Sequence, residues 1–181
     1  MSRALDKVQQ KFLLELARRA VEDYLRTGEK PIPGVEDKAL HEKRGAFVTL
    51  KVNNELRGCI GYPLPYKPLY QTIIDVAIAA ATEDYRFESI RLDELADVKF
   101  EISVLSFPER VKDAKTLEVG KHGIIVSKGF HKGLLLPQVP LEHNWDLETY
   151  LRHGCLKAGL NENEWKKGVE IEAFTAQVFS E

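Results

Sequence analysis

The segment Arg57-Gly58-Cys59-Ile60-Gly61 holds a guanidinium, a thiol and two glycines within five residues. Arg57 can fork onto a carboxylate or phosphate. Cys59 is a nucleophile if its thiolate is stabilised by Arg57, by His122 or by a helix N-terminus. It is a structural cysteine if it is simply buried on a strand. Gly58 and Gly61 let a ligand, or another stretch of backbone, come close. Asp84 and Arg86 lie two residues apart. They present paired polar groups to a ligand, or they make an ion pair that fixes a turn. His122 has the chemistry of a general acid or base. Gln138, between Pro137 and Val139-Pro140, sits in a constrained extended segment and would aim its amide at a ligand or at loop backbone.

Other chemistries lack their residues. The five histidines, among them His41, His131, His143 and His153, show no paired metal spacing. The two cysteines, Cys59 and Cys155, form no CxxC pair. No metal site and no cofactor are therefore expected, and a reducing, cytoplasmic setting is. The spacing GxxxxGK[ST] is absent after Gly61, and Pro63, Pro65 and Pro68 remove N–H donors there. An anion beside the helix that follows Pro68, assisted by Lys67, stays open. Lys plus Arg is 26 against 28 Asp plus Glu, a net charge of -2. That balance argues against a dedicated nucleic-acid surface, even with the basic-aromatic run Lys128-Gly129-Phe130-His131-Lys132. The longest apolar stretch, Ile73 to Ala81, is interrupted by Asp75 and is too short to span a bilayer.

These residues need a scaffold. Leu5, Val8, Phe12, Leu16, Ala20 and Tyr24 recur at helical spacing up to Gly28. Gly45 to Val52 and Glu55 to Tyr62 read as strands about an Asn53-Asn54 turn. A small-residue helix runs from Pro68 to about Thr82. Val98 to Phe107 alternates strictly, the mark of an antiparallel strand with one wet face. His122 to Ser127 and Gly133 to Leu136 bracket a hairpin. Leu147, Leu151, Cys155 and Ala158 share a helical stripe closed by Gly159. Near Ala173-Phe174 the strand alternation slips phase, which predicts a bulge. Helices and strands do not alternate as regular βαβ units. The expected class is α+β, a mostly antiparallel sheet packed with helices.

Several segments together resemble the AMMECR family, named for a human chromosomal region linked to Alport syndrome, midface hypoplasia and elliptocytosis. They include Arg44-Gly45-Ala46-Phe47-Val48-Thr49-Leu50, Leu56-Arg57-Gly58-Cys59-Ile60-Gly61 and Asp84-Tyr85-Arg86-Phe87. Glu101-Ile102-Ser103-Val104-Leu105, His122-Gly123-Ile124, Leu134 to Val139 and Cys155 to Leu160 follow in order. Tyr85 departs from the proline usual in the family. The resemblance implies a single domain, 1–181, in two unequal lobes with a cleft between them. The larger lobe would take both termini and the smaller the middle of the chain. It also implies an association with Memo-like or radical S-adenosylmethionine proteins. This chain has no CxxxCxxC motif, so radical chemistry would belong to such a partner. Three readings follow: a binder of a small, anionic or peptide-like ligand near the Arg57–Gly61 segment, a Cys59-dependent enzyme, or an adaptor for a partner enzyme.

Overall fold

The computed structural model describes residues 4–181. It has an α+β fold with four helices and two antiparallel four-stranded sheets. The chain divides into two compact units. One runs to Leu105 and takes back Gln177–Glu181, and the other is Ser106–Ala176.

The first unit opens with α1 (Lys7–Thr27). Asp6 and Gln9 form a reciprocal capping box at its start. Gly28 ends it at φ 75°, where a side chain would be strained. Its stripe buries Leu13, Leu16, Ala17, Ala20 and Val21. Each large aliphatic side chain so buried contributes about 1.5–3 kcal/mol of transfer free energy. Strands β1 (Ala46–Val52) and β2 (Glu55–Tyr62) pair across Asn53 and Asn54, both at positive φ. Helix α2 (Leu69–Thr82) lies on the sheet. Strand β3 (Lys99–Leu105) pairs β1 on its other side. It buries Phe100, Ile102 and Val104, as its alternation predicts. With β8 (Ala176–Ser180) the order is β2-β1-β3-β8, so β2 is an edge strand. Buried Arg44 donates from Nε to the Leu105 carbonyl at 3.1 Å.

The second unit holds β4 (Glu109–Arg110), β5 (Gly123–Lys128), β6 (His131–Leu135) and β7 (Glu170–Phe174), in the order β4-β7-β5-β6. Short α3 (Val139–Glu142) and α4 (Leu147–Lys157) complete it. Asp146 caps α4 by accepting from the Thr149 N–H at 2.8 Å. Its core gathers Ile124, Val126, Tyr150, Leu151, Cys155 and Ile171. The Tyr150 hydroxyl is satisfied by donating to backbone carbonyls, with those of His122 and Leu135 at 3.1 and 3.2 Å. Burial pushes its pKa upward.

Two sequence expectations are corrected here. The phase slip near Ala173-Phe174 is no bulge. Strand β7 ends at Phe174, and after Thr175 the chain enters β8, a strand of the other sheet. The slip is a change of core, so each half keeps its own register. Gln138 is not extended either. It has φ -75° and ψ -24° and starts α3, with Pro140 in the first helical turn where its missing N–H costs nothing.

Candidate functional site

The predicted site residues fall in both units. Arg57, Gly58, Cys59, Gly61, Asp84 and Arg86 belong to the first, and His122 and Gln138 to the second. Within the first unit the structure gathers them along β2 and its outer edge.

Strand alternation sorts them. Gly58 turns toward α2, and a Cβ there would stand 2.1 Å from the Ala80 carbonyl oxygen. The close approach that glycine permits is therefore to a helix backbone. Cys59 lies on the opposite face, opposite Thr49, with Sγ 3.2 Å from the Thr49 hydroxyl. Gly61 lies opposite Phe47, whose ring occupies the space a Cβ would take. In an antiparallel ladder, residues directly opposite alternate between bonded and unbonded pairs. The Cys59 N–H points outward, to the carboxylate of Asp84 at 2.9 Å. By the same alternation Gly61 turns its N–H and C=O to the outer edge.

Asp84 and Arg86 occupy that edge beside Cys59. The Arg86 side chain donates from Nε to Asp84 Oδ1 at 2.9 Å and from Nη2 to Oδ2 at 2.7 Å. The Arg86 backbone N–H reaches Oδ1 at 3.2 Å. Nη2 also donates to the Cys59 carbonyl at 3.4 Å. The pair thus accepts the Cys59 N–H and donates to its C=O, as a neighbouring strand would. The Asp84 side chain is 2% exposed, and the Arg86 side chain 45%. Arg86's hydrogen bonds, assisted by the Cys59 N–H, hold the Asp84 carboxyl well below the usual carboxylate range. Arg86 also lies over the ring of half-buried Phe87, 5.4 Å from its centroid.

Arg57 is committed elsewhere. Nη1 donates to the Glu88 carbonyl at 2.6 Å, and Nη2 to Glu94 at 3.4 Å. It fastens the loop after Phe87 to β2. In the second unit, His122 Nδ1 accepts the Glu118 N–H at 2.9 Å. Gln138 is exposed at the start of α3.

Three features lay beyond the sequence reading. Thr49 is the neighbour of the Cys59 thiol. His143 and His153 both stack on Trp145, with centroids 4.8 and 3.8 Å apart. Lys30 and Lys67 meet at Asp75. Counting outward from the Asn53-Asn54 turn does not give the first, because a register shift between Leu50 and Lys51 intervenes. Nothing in the spacing signals the other two. At the basic hairpin, Phe130 is fully exposed on a two-residue turn, while Lys128 pairs with Glu164 and Lys166 with Glu148. Among the described residues no group of three or more His, Cys, Asp or Glu side chains gathers to hold a metal ion. No helix among them is long and apolar enough to cross a membrane.

The chain is similar to proteins of several archaea. A Methanopyrus kandleri protein, MK0488, is 45% identical over all of this chain and 92% of its own length. A Pyrococcus abyssi protein, PYRAB00100, is 44% identical over 94% of this chain and 89% of its own. The crystal structure of the uncharacterised protein PH0010 from Pyrococcus horikoshii matches with a TM-score of 0.79 and 43% identity. That match covers 94% of this chain and 90% of that one. The AMMECR1 family model matches residues 14–179, nearly the entire chain. By that match and these identities, the chain belongs to the AMMECR1 family.

Proposed function

We propose that the outer edge of β2 binds a small ligand carrying a carboxylate or a peptide group. The observation that carries this reading is the fixed Arg86 guanidinium. Buried Asp84 holds one side of it, and the side chain remains 45% exposed beside the Cys59 carbonyl, two residues before Gly61. An arginine locked in place loses little entropy on binding, so its donors are preorganised. An extended ligand would pair with the outward N–H and C=O of Gly61, in the manner of an added strand. Its carboxylate would meet the open side of Arg86. Cys59 would then face the ligand as a wall beside Thr49. The groups hydrogen-bonded around Cys59 supply no general base, because Asp84 is saturated by Arg86 and backbone N–H groups. Binding therefore ranks above catalysis at this edge. Two free cysteines, one half-buried, support a reducing, cytoplasmic setting.

A second reading has its own observation. Leu56, Tyr62 and Tyr66, on and just after β2, are 42, 37 and 69% exposed. They favour docking of a protein partner, such as a Memo-like or radical S-adenosylmethionine protein, on the same strand.

A thermal-shift screen of small carboxylates and dipeptides separates the two, run on the wild type and on Arg86→Lys. A ligand at about 100 times its Kd adds roughly 2.7 kcal/mol, or roughly 5–11 °C for a chain of this size. Hits lost in Arg86→Lys, which keeps the charge but not the fork, support the ligand reading. Silence in the wild type sinks it and leaves the docking partner.

A further inference from the structure

A cavity of about 270 Å³ lies elsewhere in the first unit, between the loop after α1 and the first turns of α2. Its charged groups are Lys30, Lys67 and Asp75, Gln71 donates to the Tyr70 hydroxyl at 2.9 Å, and Ile32, Ile74 and the Tyr70 ring give it apolar walls. Lys30 Nζ donates to one Asp75 carboxylate oxygen and Lys67 Nζ to the other, each at 2.5 Å. One carboxylate thus serves two ammonium groups, and the three together carry one positive charge in excess. The Asp75 side chain is 11% exposed, against 55% for Lys30 and 49% for Lys67. The cations, not the anion, face the open side. Each ammonium has three donors, of which Asp75 takes one.

A structural clamp accounts for only half of this. Lys30 on Asp75 fastens the loop to α2. Lys67 stands just before α2, and the other contact of its ammonium group is a distant one, 5.9 Å from Nζ to the Tyr62 ring centroid at the end of β2. What Lys67 adds is a second cation at the same cavity. Burial would push the Asp75 carboxyl up, but the two lysine hydrogen bonds outweigh burial and hold it low. Asp75 therefore stays ionised, and it holds both lysine ammonium groups in place. The wall is apolar where a purely ionic site would not be. Ile32 is almost fully exposed, between two prolines. Tyr70 is fixed by a tilted ring contact with His41, 5.0 Å between centroids.

We infer that this cavity binds an organic oxyanion on a small apolar body, the charged head bridging Lys30 and Lys67 and the body lying against Ile32, Tyr70 and Ile74. The site is separate from the β2 edge and does not rest on that reading. Its ligand needs both parts. The head replaces water on two ammonium groups, and the body covers apolar wall that is otherwise wet.

The test is a titration of the full chain with phenyl phosphate and with phenylacetate, followed by calorimetry and by amide chemical shifts. Benzyl alcohol and inorganic phosphate serve as single-feature controls. The expected result is binding of at least one aryl anion at millimolar concentration or below, with shifts at Ile32, Tyr70, Gln71 and Ile74. The two aryl anions distinguish a phosphate from a carboxylate head. Benzyl alcohol should fail, and inorganic phosphate should bind more weakly. Lys30→Gln and Lys67→Gln should each weaken binding about fivefold, the scale of one solvent-screened charge contact. Asp75→Asn should tighten it, because the competing carboxylate is gone. Overturning results are no binding of either aryl anion, binding indifferent to both lysine variants, or shifts confined to Arg86 and Cys59. If Asp75→Asn fails to fold, the two lysine variants decide.

Discussion

Cys59 and Cys155 are the same chemical group in two surroundings. Cys59 is half-buried on an edge strand, while Cys155 is fully buried in the second core and burial pushes its thiol pKa up. A mild disulfide reagent should therefore titrate one thiol in the native protein and the second only in denaturant. Two native equivalents, or none, would contradict this contrast. Asp84 makes a different prediction. Its native carboxyl is held below the unfolded aspartate value of about 3.9. The native state then binds fewer protons at this site than the unfolded chain. Its contribution is complete above the unfolded value and fades as the pH falls from about 4 toward the lower native value. Asp84→Asn should cost about 2–3 kcal/mol at pH 7 in urea denaturation. The gap between variant and wild type should narrow at pH 3. An unchanged gap would assign the loss to packing. The spacing of Asp84 and Arg86 is legible in the sequence as an ion pair. Their joint partner, the backbone of Cys59, is not, because that hydrogen bond spans 25 residues.

Among the elements, β2 and α2 depend on one absent side chain. Gly58→Ala would drive a Cβ into the Ala80 carbonyl, backbone against backbone, where neither element can yield cheaply. The expected loss is about 3 kcal/mol, at the upper end of ordinary overpacking, read as a lower urea midpoint with unchanged slope. Gly28→Ala meets open space and is strained only by its φ of 75°. It should cost about 1 kcal/mol. Much of this architecture is written in local pattern. The α1 stripe, its closing glycine and the strict alternation of β3 each report a buried face. What is lost is register. Counting out from the Asn53-Asn54 turn places Thr49 opposite Gly58. A register shift between Leu50 and Lys51 moves it opposite Cys59 instead. One extra residue on β2, invisible as a pattern, decides which hydroxyl meets the thiol. The two-residue strand β4 is equally silent, since a period needs more length than that to show.

For the molecule as a whole, the chain path matters more than any single contact. The first unit is closed by residues 177–181. Glu181 accepts from Arg18 Nε at 2.8 Å and from the Phe100 N–H at 3.1 Å, and β8 completes the sheet. Gln177 answers both the N–H and the C=O of Leu5 at 2.8 Å. Deleting 177–181 should strip hydrogen-exchange protection from α1 and β3 and leave β5 protected. Equal loss in both units would show one cooperative block. The second unit has all its strands in one unbroken stretch, 106–176, while the first is split around it. That asymmetry sets an order of events during translation. As the nascent chain leaves the ribosome, the stretch synthesised second is complete before the stretch synthesised first has its final strand. The earlier half must wait, with its β3 edge unpaired, for residues 177–181.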